Sequence, residues 1–352
     1  MLFRSVVTLF EQNPPDATFG FGVVFSDRAM DFLREDDPET ADLISPRMEQ
    51  WQSITVVHRG EPVVIDGVGF AAIGRLDLLQ LLQRRAAGAG VLMRFQAGVR
   101  TPGDLSGFDL IVAADGVNST VRTAHERDFG ASRSFLGNRF AWFGTPARFN
   151  TLTQTFVASD MGTFNAHHYR YSPAMSTFIV ECDPLTWQRA GFEGMPAEAS
   201  RALCERVFAD TLQGAPLVAN HSVWRTFPWI HNDRWSYKNI VLIGDALHTA
   251  HYSIGSGTRL ALEDALALVH ALEAAGGDVA AALERYEAAR RPIVEKLVQA
   301  SRASAEWYEK FPDEMRRGPL DFAYSYITRT GRVDTDRLSQ ASPQFMERYR
   351  AR

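Results

Sequence analysis

Cysteine is almost absent. The 352 residues contain two, Cys182 and Cys204, in no CxxC pair, which excludes a disulfide scaffold and a thiolate zinc site. An excess charge of one sign is also missing. The 37 Lys and Arg face 42 Asp and Glu, a formal charge of −5, so neither a nucleic-acid face nor a charged interaction tail is expected. No apolar run reaches the roughly 18 residues of a membrane span, and "MLFRSVVTLFEQN" meets Glu11 too early for a secretory leader. The expectation is a cytoplasmic protein, monomer or homodimer, with no nucleic-acid or membrane partner.

What is present is the material of a large α/β enzyme. "SVVTLFE" reads as a buried strand ending on an acid. "RLDLLQLLQRRAAGAG" reads as an amphipathic helix with Leu78, Leu79, Leu82 and Ala86 on one face. "FDLIVAADGVNSTVR" and "NIVLIGDA" are apolar runs that stop on an acid, as parallel strands buried on both faces do. From about 139 to 182 the chain alternates instead, which predicts antiparallel sheet; helices are predicted over about 198–212, 258–275 and 278–310. The fold class is therefore α/β. A Rossmann-type domain is expected from 1–130 and 222–300, an inserted antiparallel-sheet substrate domain from 131–221, and a C-terminal helical segment from 301–352. An insertion of this kind makes an interface cleft, where small molecules usually bind.

The most informative stretch is "VLIGDALHTAHYSIGSGTRLALEDA". Its strand delivers Asp245, followed by Ala246, to the carboxyl end where open α/β sheets bind ligands; a carboxylate there accepts hydrogen bonds from sugar or ribityl hydroxyls. Gly255, Ser256 and Gly257 let the backbone pass close to a flat ligand. The helix opening at Thr258 aims its amides and positive dipole end at negative charge. A helix-capping role for Asp245 explains the acid but not the small residues. Asp245, His248 and His251 have a spacing that three zinc ligands could use, yet no fourth ligand follows, so no metal is expected. Asp115 and Gly116 close the other acid-terminated strand, where a plain turn explains them equally well. Arg75 opens its helix as a planar cation suited to a pyrophosphate, or as a solvated surface charge. Glu11 ends the first strand, where an acid can grip a ribose 2′-OH about 20 residues beyond a G-x-G-x-x-G turn. Only ten residues precede it, and "GFGVV" lacks the flanking strand and helix. In "GTFNAHHYRY", Asn165, His167, Tyr169 and Tyr171 share one face and Phe164, Ala166, His168 and Arg170 the other. The face of His167 and Tyr169, with Phe178 nearby, is taken as the one that meets ligand, although sheet core explains each residue as well.

Together, Glu11, Arg75, Asp115-Gly116 in "ADGVNSTVR" and Asp245 in "GDALH" resemble the group A FAD-dependent aromatic monooxygenases of the p-hydroxybenzoate hydroxylase type. "RFAWFGT", "FNAHHYRYSPAMSTFIVECD", "HYSIGSGT" and "AYSYITRTGRV" are similar to the branch containing salicylyl-CoA 5-hydroxylase and anthraniloyl-CoA monooxygenase. The resemblance implies an FAD-binding domain, NAD(P)H as co-substrate, and O2 used through a flavin C4a-hydroperoxide to hydroxylate an electron-rich ring. A CoA-activated ring such as salicylyl-CoA or anthraniloyl-CoA is expected; a free indole or tryptophan-derived substrate, or an inactive FAD-fold remnant, is the alternative. FAD would be held by Glu11, Arg75, Asp115, Gly116, Asp245, Ala246, Gly255, Ser256, Gly257 and Thr258, and the catalytic candidates are His167, Tyr169 and His248. The loop departs from the wider family in carrying "YSIGSGT" where a proline is usual, and the glycine-rich phosphate turn is missing. That unit takes on the order of 30 residues before the ribose acid. The expectation is that an upstream in-frame stretch encodes it, and that the chain begun at Met1 is marginal in stability and binds FAD poorly.

Overall fold

Residues 5–352 are described by a computed structural model. Its principal element is a nine-stranded sheet with the order β11-β7-β10-β9-β8-β3-β4-β2, with β12 also on β7. The strands are β2 (Gly22–Ser26), β3 (Glu49–His58), β4 (Glu61–Gly74), β7 (Ala131–Thr145), β8 (Leu152–Ser159), β9 (Gly162–Arg170), β10 (Ser176–Cys182), β11 (Val218–Ala219) and β12 (Arg225–Asn232). All pair antiparallel except β3 with β8. The sheet expected within 131–221 thus draws strands from both sides of that range. In β3, Trp51, Ile54, Val56 and His58 are buried while Gln50 and Gln52 are exposed, so this strand buries one face and leaves the other toward solvent, as antiparallel sheets do.

The parallel part is divided. β1 (Thr8–Phe10) pairs with β5 (Leu92–Arg94), and β14 (Ile240–Leu242) lies between β6 (Ile111–Ala113) and β13 (Ser236–Tyr237). Among the described residues the two pieces share no ladder, and Leu9 and Val112 are exposed.

The principal helices are α1 (Asp27–Asp36), α2 (Arg75–Gly88), α3 (Ala197–Val207), α4 (Gly257–Ala274), α5 (Val279–Glu309), α6 (Pro319–Thr328) and α7 (Pro343–Arg350). The boundary expected at residue 301 falls inside α5, which runs unbroken through it. The segment beyond α5 is no separate unit, because Phe311, Phe322, Tyr326 and Phe345 bury themselves with Val56, Ile65 and Phe156 of the sheet. A second core sets β14 against α4 and α5. A third closes the opposite sheet face with α3, burying Phe164, Phe178 and Val180. Among the described residues no helix is long and apolar enough to cross a membrane.

Candidate functional site

Strand β14 ends at Leu242, and Gly244, at a φ of +58°, turns the chain so that Asp245 faces a cavity of about 860 Å³ between the parallel part and the large sheet. The turn is fixed from behind. Asp264 of α4 accepts from the Gly244 amide (3.0 Å) and pairs with His248 (2.8 Å) and Arg290 (2.7 Å), which also binds Glu263 at 2.6 Å. Burial alone would raise the Asp264 carboxyl, but the hydrogen bond and charge of His248 and the charge of Arg290 hold it below the ordinary value.

The cavity wall then passes through Gly255, Ser256, Gly257 and Thr258. Gly255 has a φ of +59°, and a Cβ there would meet Val24 at 3.1 Å. Gly257 is different. A Cβ on it would meet no side chain and no backbone from outside its own turn within 4 Å among the described residues, so the space above the start of α4 is open to the cavity. Ser256 caps no amide of α4 with its side chain, and no acid lies in its first turn. The helix therefore presents free N–H groups and its positive end to the cavity. Arg75, at the start of α2, lies on the same wall; its Nε is buried without a partner, and desolvation lowers its pKa against the pull of Tyr169 and Asp245. Desolvation also raises Asp245 above the ordinary carboxylate value, opposed by His248 and Arg75.

The large sheet supplies the facing wall through His167, Tyr169, Ile179, Phe140 and Trp142, and the loop before α4 adds Tyr252. The pleat carries Phe178 to the other side, into the core under α3, so the expectation that it neighbours the ligand face is corrected. Both ring nitrogens of His167 are buried without partners, and burial, then the charge of Arg329, pushes its pKa down to about 3. It is thus a neutral ring with both nitrogens unpartnered. The Tyr169 hydroxyl donates to the Gly22 carbonyl (3.0 Å), and burial raises its pKa to about 12, which keeps the proton on.

Other expected site residues stand elsewhere. His248 is turned away behind the loop, locked to Asp264, and lines a separate cavity of about 430 Å³. Ala246 is buried and its carbonyl accepts from Arg122 (2.8 Å). Asp115 accepts from the Thr120 and Val121 amides at 2.7 and 3.2 Å, with Gly116 at a φ of +78° beside it; the cavity is reached by the next two residues, Val117 and Asn118. Glu11 folds onto Asn13, accepting from its amide and side chain at 2.7 and 2.8 Å. His251 bonds Ser253 rather than a shared metal position, and no cluster of three or more His, Cys, Asp or Glu in metal-holding geometry occurs among the described residues. Arg133, Arg139 and Arg225, which no short-range sequence pattern marks, also line the cavity. Arg225 comes to the same cavity as Arg139 because β12 pairs with β7, setting Thr226 opposite Arg139 and Arg225 opposite Phe140.

An open strip over Gly257, an uncapped helix start, an unpartnered Arg75 nitrogen and an acid at a strand end suit a flat cofactor with hydroxylated and anionic parts, and FAD has all of these features. Comparisons with known proteins agree. The model of a family described as FAD binding domain matches residues 107–301. The chain is 42% identical to salicyloyl-CoA 5-hydroxylase of a Streptomyces species, over 97% of this chain and 68% of that protein. It is 40% identical to 3-hydroxy-4-methyl-anthranilyl-[aryl-carrier protein] 5-monooxygenase of Streptosporangium sibiricum, over 93% and 88%. The crystal structure of 2-methyl-3-hydroxypyridine-5-carboxylic acid oxygenase has the same fold at 17% identity, with a TM-score of 0.70 over 95% of this chain and 89% of that one.

Proposed function

The chain belongs to the FAD binding domain family, among its FAD-dependent aromatic-ring monooxygenases, and from that premise we propose which residues hold the cofactor and what kind of ring is hydroxylated. When bound, FAD takes reducing equivalents from NAD(P)H and activates O2; the protein's part is binding, orientation and electrostatics. The amides at the start of α4 would favour negative charge on a flavin ring bound there, a preorganised field of the oxyanion-hole kind. Gly257 keeps the space for that ring open, Asp245 accepts from ribityl hydroxyls, and Arg75 balances phosphate charge. Glu11, Asp115 and Gly116 serve the more distant parts of the cofactor. The aromatic wall of β7 and β9 excludes water, which would otherwise divert activated oxygen from the substrate. His167, neutral and unpartnered, orients the substrate by hydrogen bonding.

The substrate we propose is an aromatic acyl-CoA thioester. One observation carries this: among the described residues, a chain of net charge −5 places four arginines, Arg75, Arg133, Arg139 and Arg225, around a cavity with one acid, Asp245. FAD accounts for part of that positive field. Arg133 and Arg225 are exposed at the rim beside Phe135 and Val223, also exposed, and the Nε of Arg139 is buried without a partner. Forked guanidinium groups beside an aromatic ring suit the phosphates and adenine of a CoA handle. The names of the two relatives, one a CoA-thioester hydroxylase and the other a carrier-bound anthranilyl monooxygenase, support the same reading. The test is NAD(P)H oxidation coupled to hydroxylated product, with salicyl-CoA and anthraniloyl-CoA against the free acids. The thioester is expected to show a KM at least ten-fold lower, rising with salt and rising in Arg225→Ala. Equal or better turnover of a free acid or an indole would overturn the CoA reading.

A further inference from the structure

The turn that carries Asp245 has a cavity on each side. Asp245 faces the larger one, while Leu247 and His248 border the separate cavity of about 430 Å³. That volume suits a small molecule. The floor of this second cavity is apolar: Ile230 of β12, Trp235 of the turn after it, Leu247 of the loop and Val294 of α5 are all buried.

Two polar groups on its lining stand unsatisfied. Asn232 is buried and gives its amide N–H to the Leu247 carbonyl at 2.5 Å, but its Oδ1 has no hydrogen-bond partner among the described residues. A buried acceptor in that state is costly, and a donor entering the cavity would relieve it. Arg302 is exposed at the rim, 5.3 Å from the Trp229 ring centroid, and forms no ion pair among the described residues. Arg291 on the same helix is already engaged, by Glu287 at 2.5 Å and the Asp233 carbonyl at 2.7 Å. The rim acid Glu295 lies 3.8 Å from Arg291. The cavity therefore combines an apolar floor, an acceptor without a donor and a cation without an anion.

We propose that this cavity is a second ligand site, separate from the chemistry, for a small aromatic carboxylic acid whose ring also carries a hydrogen-bond donor. The ring lies on the apolar floor, the carboxylate meets Arg302, and the donor reaches Asn232 Oδ1. Its occupant is coupled to the main cavity through the turn. The Leu247 and His248 amides both donate to the Gly244 carbonyl at 2.9 Å. Asp264 ties His248 (2.8 Å) to the Gly244 amide (3.0 Å), and Asn232 holds the Leu247 carbonyl. A ligand resting on Leu247 and His248 thus binds best when the turn is closed, and it shifts the population toward that state. The closed turn is the one that aims Asp245 at the larger cavity. The site goes beyond the aromatic-hydroxylase reading and does not depend on a CoA handle.

The test uses 3-hydroxybenzoate as the probe, without NAD(P)H, on FAD-loaded wild type, Arg302→Glu and Gln299→Trp. Arg302 and Gln299 are both exposed on this rim, so one variant reverses the charge and the other obstructs the mouth without touching the core. In equilibrium dialysis each variant should bind one equivalent fewer than wild type, whatever the larger cavity takes up. In wild type the acid should slow exchange of the Leu247 and His248 amides at least three-fold and slow FAD release by a similar factor. Both effects should vanish in the variants. Benzoate, which lacks the donor, and phenol, which lacks the carboxylate, should each bind this site more weakly. The same number of equivalents in wild type and both variants would remove the site. Exchange and FAD release that the acid leaves unchanged would remove its coupling to the turn. Neither readout uses turnover, so failure of the CoA reading would leave both results standing.

Discussion

Gly255 and Gly257 stand two positions apart and face opposite constraints. Gly255 sits at a φ of +59° with Val24 only 3.1 Å from where a Cβ would go, so Gly255→Ala should lose about 1–3 kcal/mol in chemical denaturation. Gly257 opens α4, and a Cβ on it would project into empty space. Gly257→Val should leave the apoprotein within about 0.5 kcal/mol of wild type and yet weaken FAD binding at least ten-fold in a fluorescence titration. A Gly257→Val protein that binds FAD normally would remove the cofactor from that strip. Glu181, buried on β10, adds a pH signature at the same scale. Its pKa is raised on folding, so its contribution is full in acid, below the ordinary glutamate value, and is lost as pH rises through about 7. Wild type measured against Glu181→Gln should accordingly lose stability across that window.

The element that sets the site is the joint of β14, its loop and α4. Its rigidity comes from Asp264, which gathers the Gly244 amide, His248 and Arg290 in a buried cluster. Removing one partner from such a cluster leaves uncompensated charge. Asp264→Ala should therefore cost about 3–5 kcal/mol by denaturation and release Asp245 from its position, lowering flavin content. The carboxyl is held below the ordinary aspartate value, so its contribution is present above that value and lost as pH falls through the lower folded one. The stability curves of wild type and Asp264→Asn should converge in acid; a constant gap down to low pH would contradict the ionic role.

Across the whole molecule, α5 and the chain beyond it close the site from a distance. Arg329 donates to the Ser253 carbonyl (2.8 Å), to Ser304 (2.9 Å) and to the Tyr326 carbonyl (2.6 Å), and lies 3.9 Å from the Tyr326 ring centroid. Ser301 accepts from the His251 amide at 2.6 Å. Arg329→Ala should speed amide exchange over residues 251–257 and weaken FAD binding several-fold, with a global loss of about 1–3 kcal/mol. Unchanged exchange there would mean the loop holds itself. The two cysteines report on the same packing. Cys182 and Cys204 are buried and free, with burial pushing both thiols well up, so a thiol reagent should modify neither until denaturant is added.

Much of this was legible because it is local. Two apolar strands stopping on acids, a run of small residues before a helix and an alternating stretch through His167 and Tyr169 are short-range patterns, and the structure brings Arg75, Asp245, His167, Tyr169 and residues 255–258 to one cavity. The sequence by itself also determined which residues share a strand face, since the pleat has a period of two. It could not say which face looks inward, nor that β2, β3 and β4 join the sheet, because both depend on what packs from outside. The placement of His248 was decided by Asp264, a partner 16 residues away. Arg225 enters the cavity rim through strand pairing, and Tyr252 meets Glu181 across 71 residues. Contacts of that separation leave no periodicity in the chain, and only tertiary structure, by choosing which surfaces are buried together, makes them.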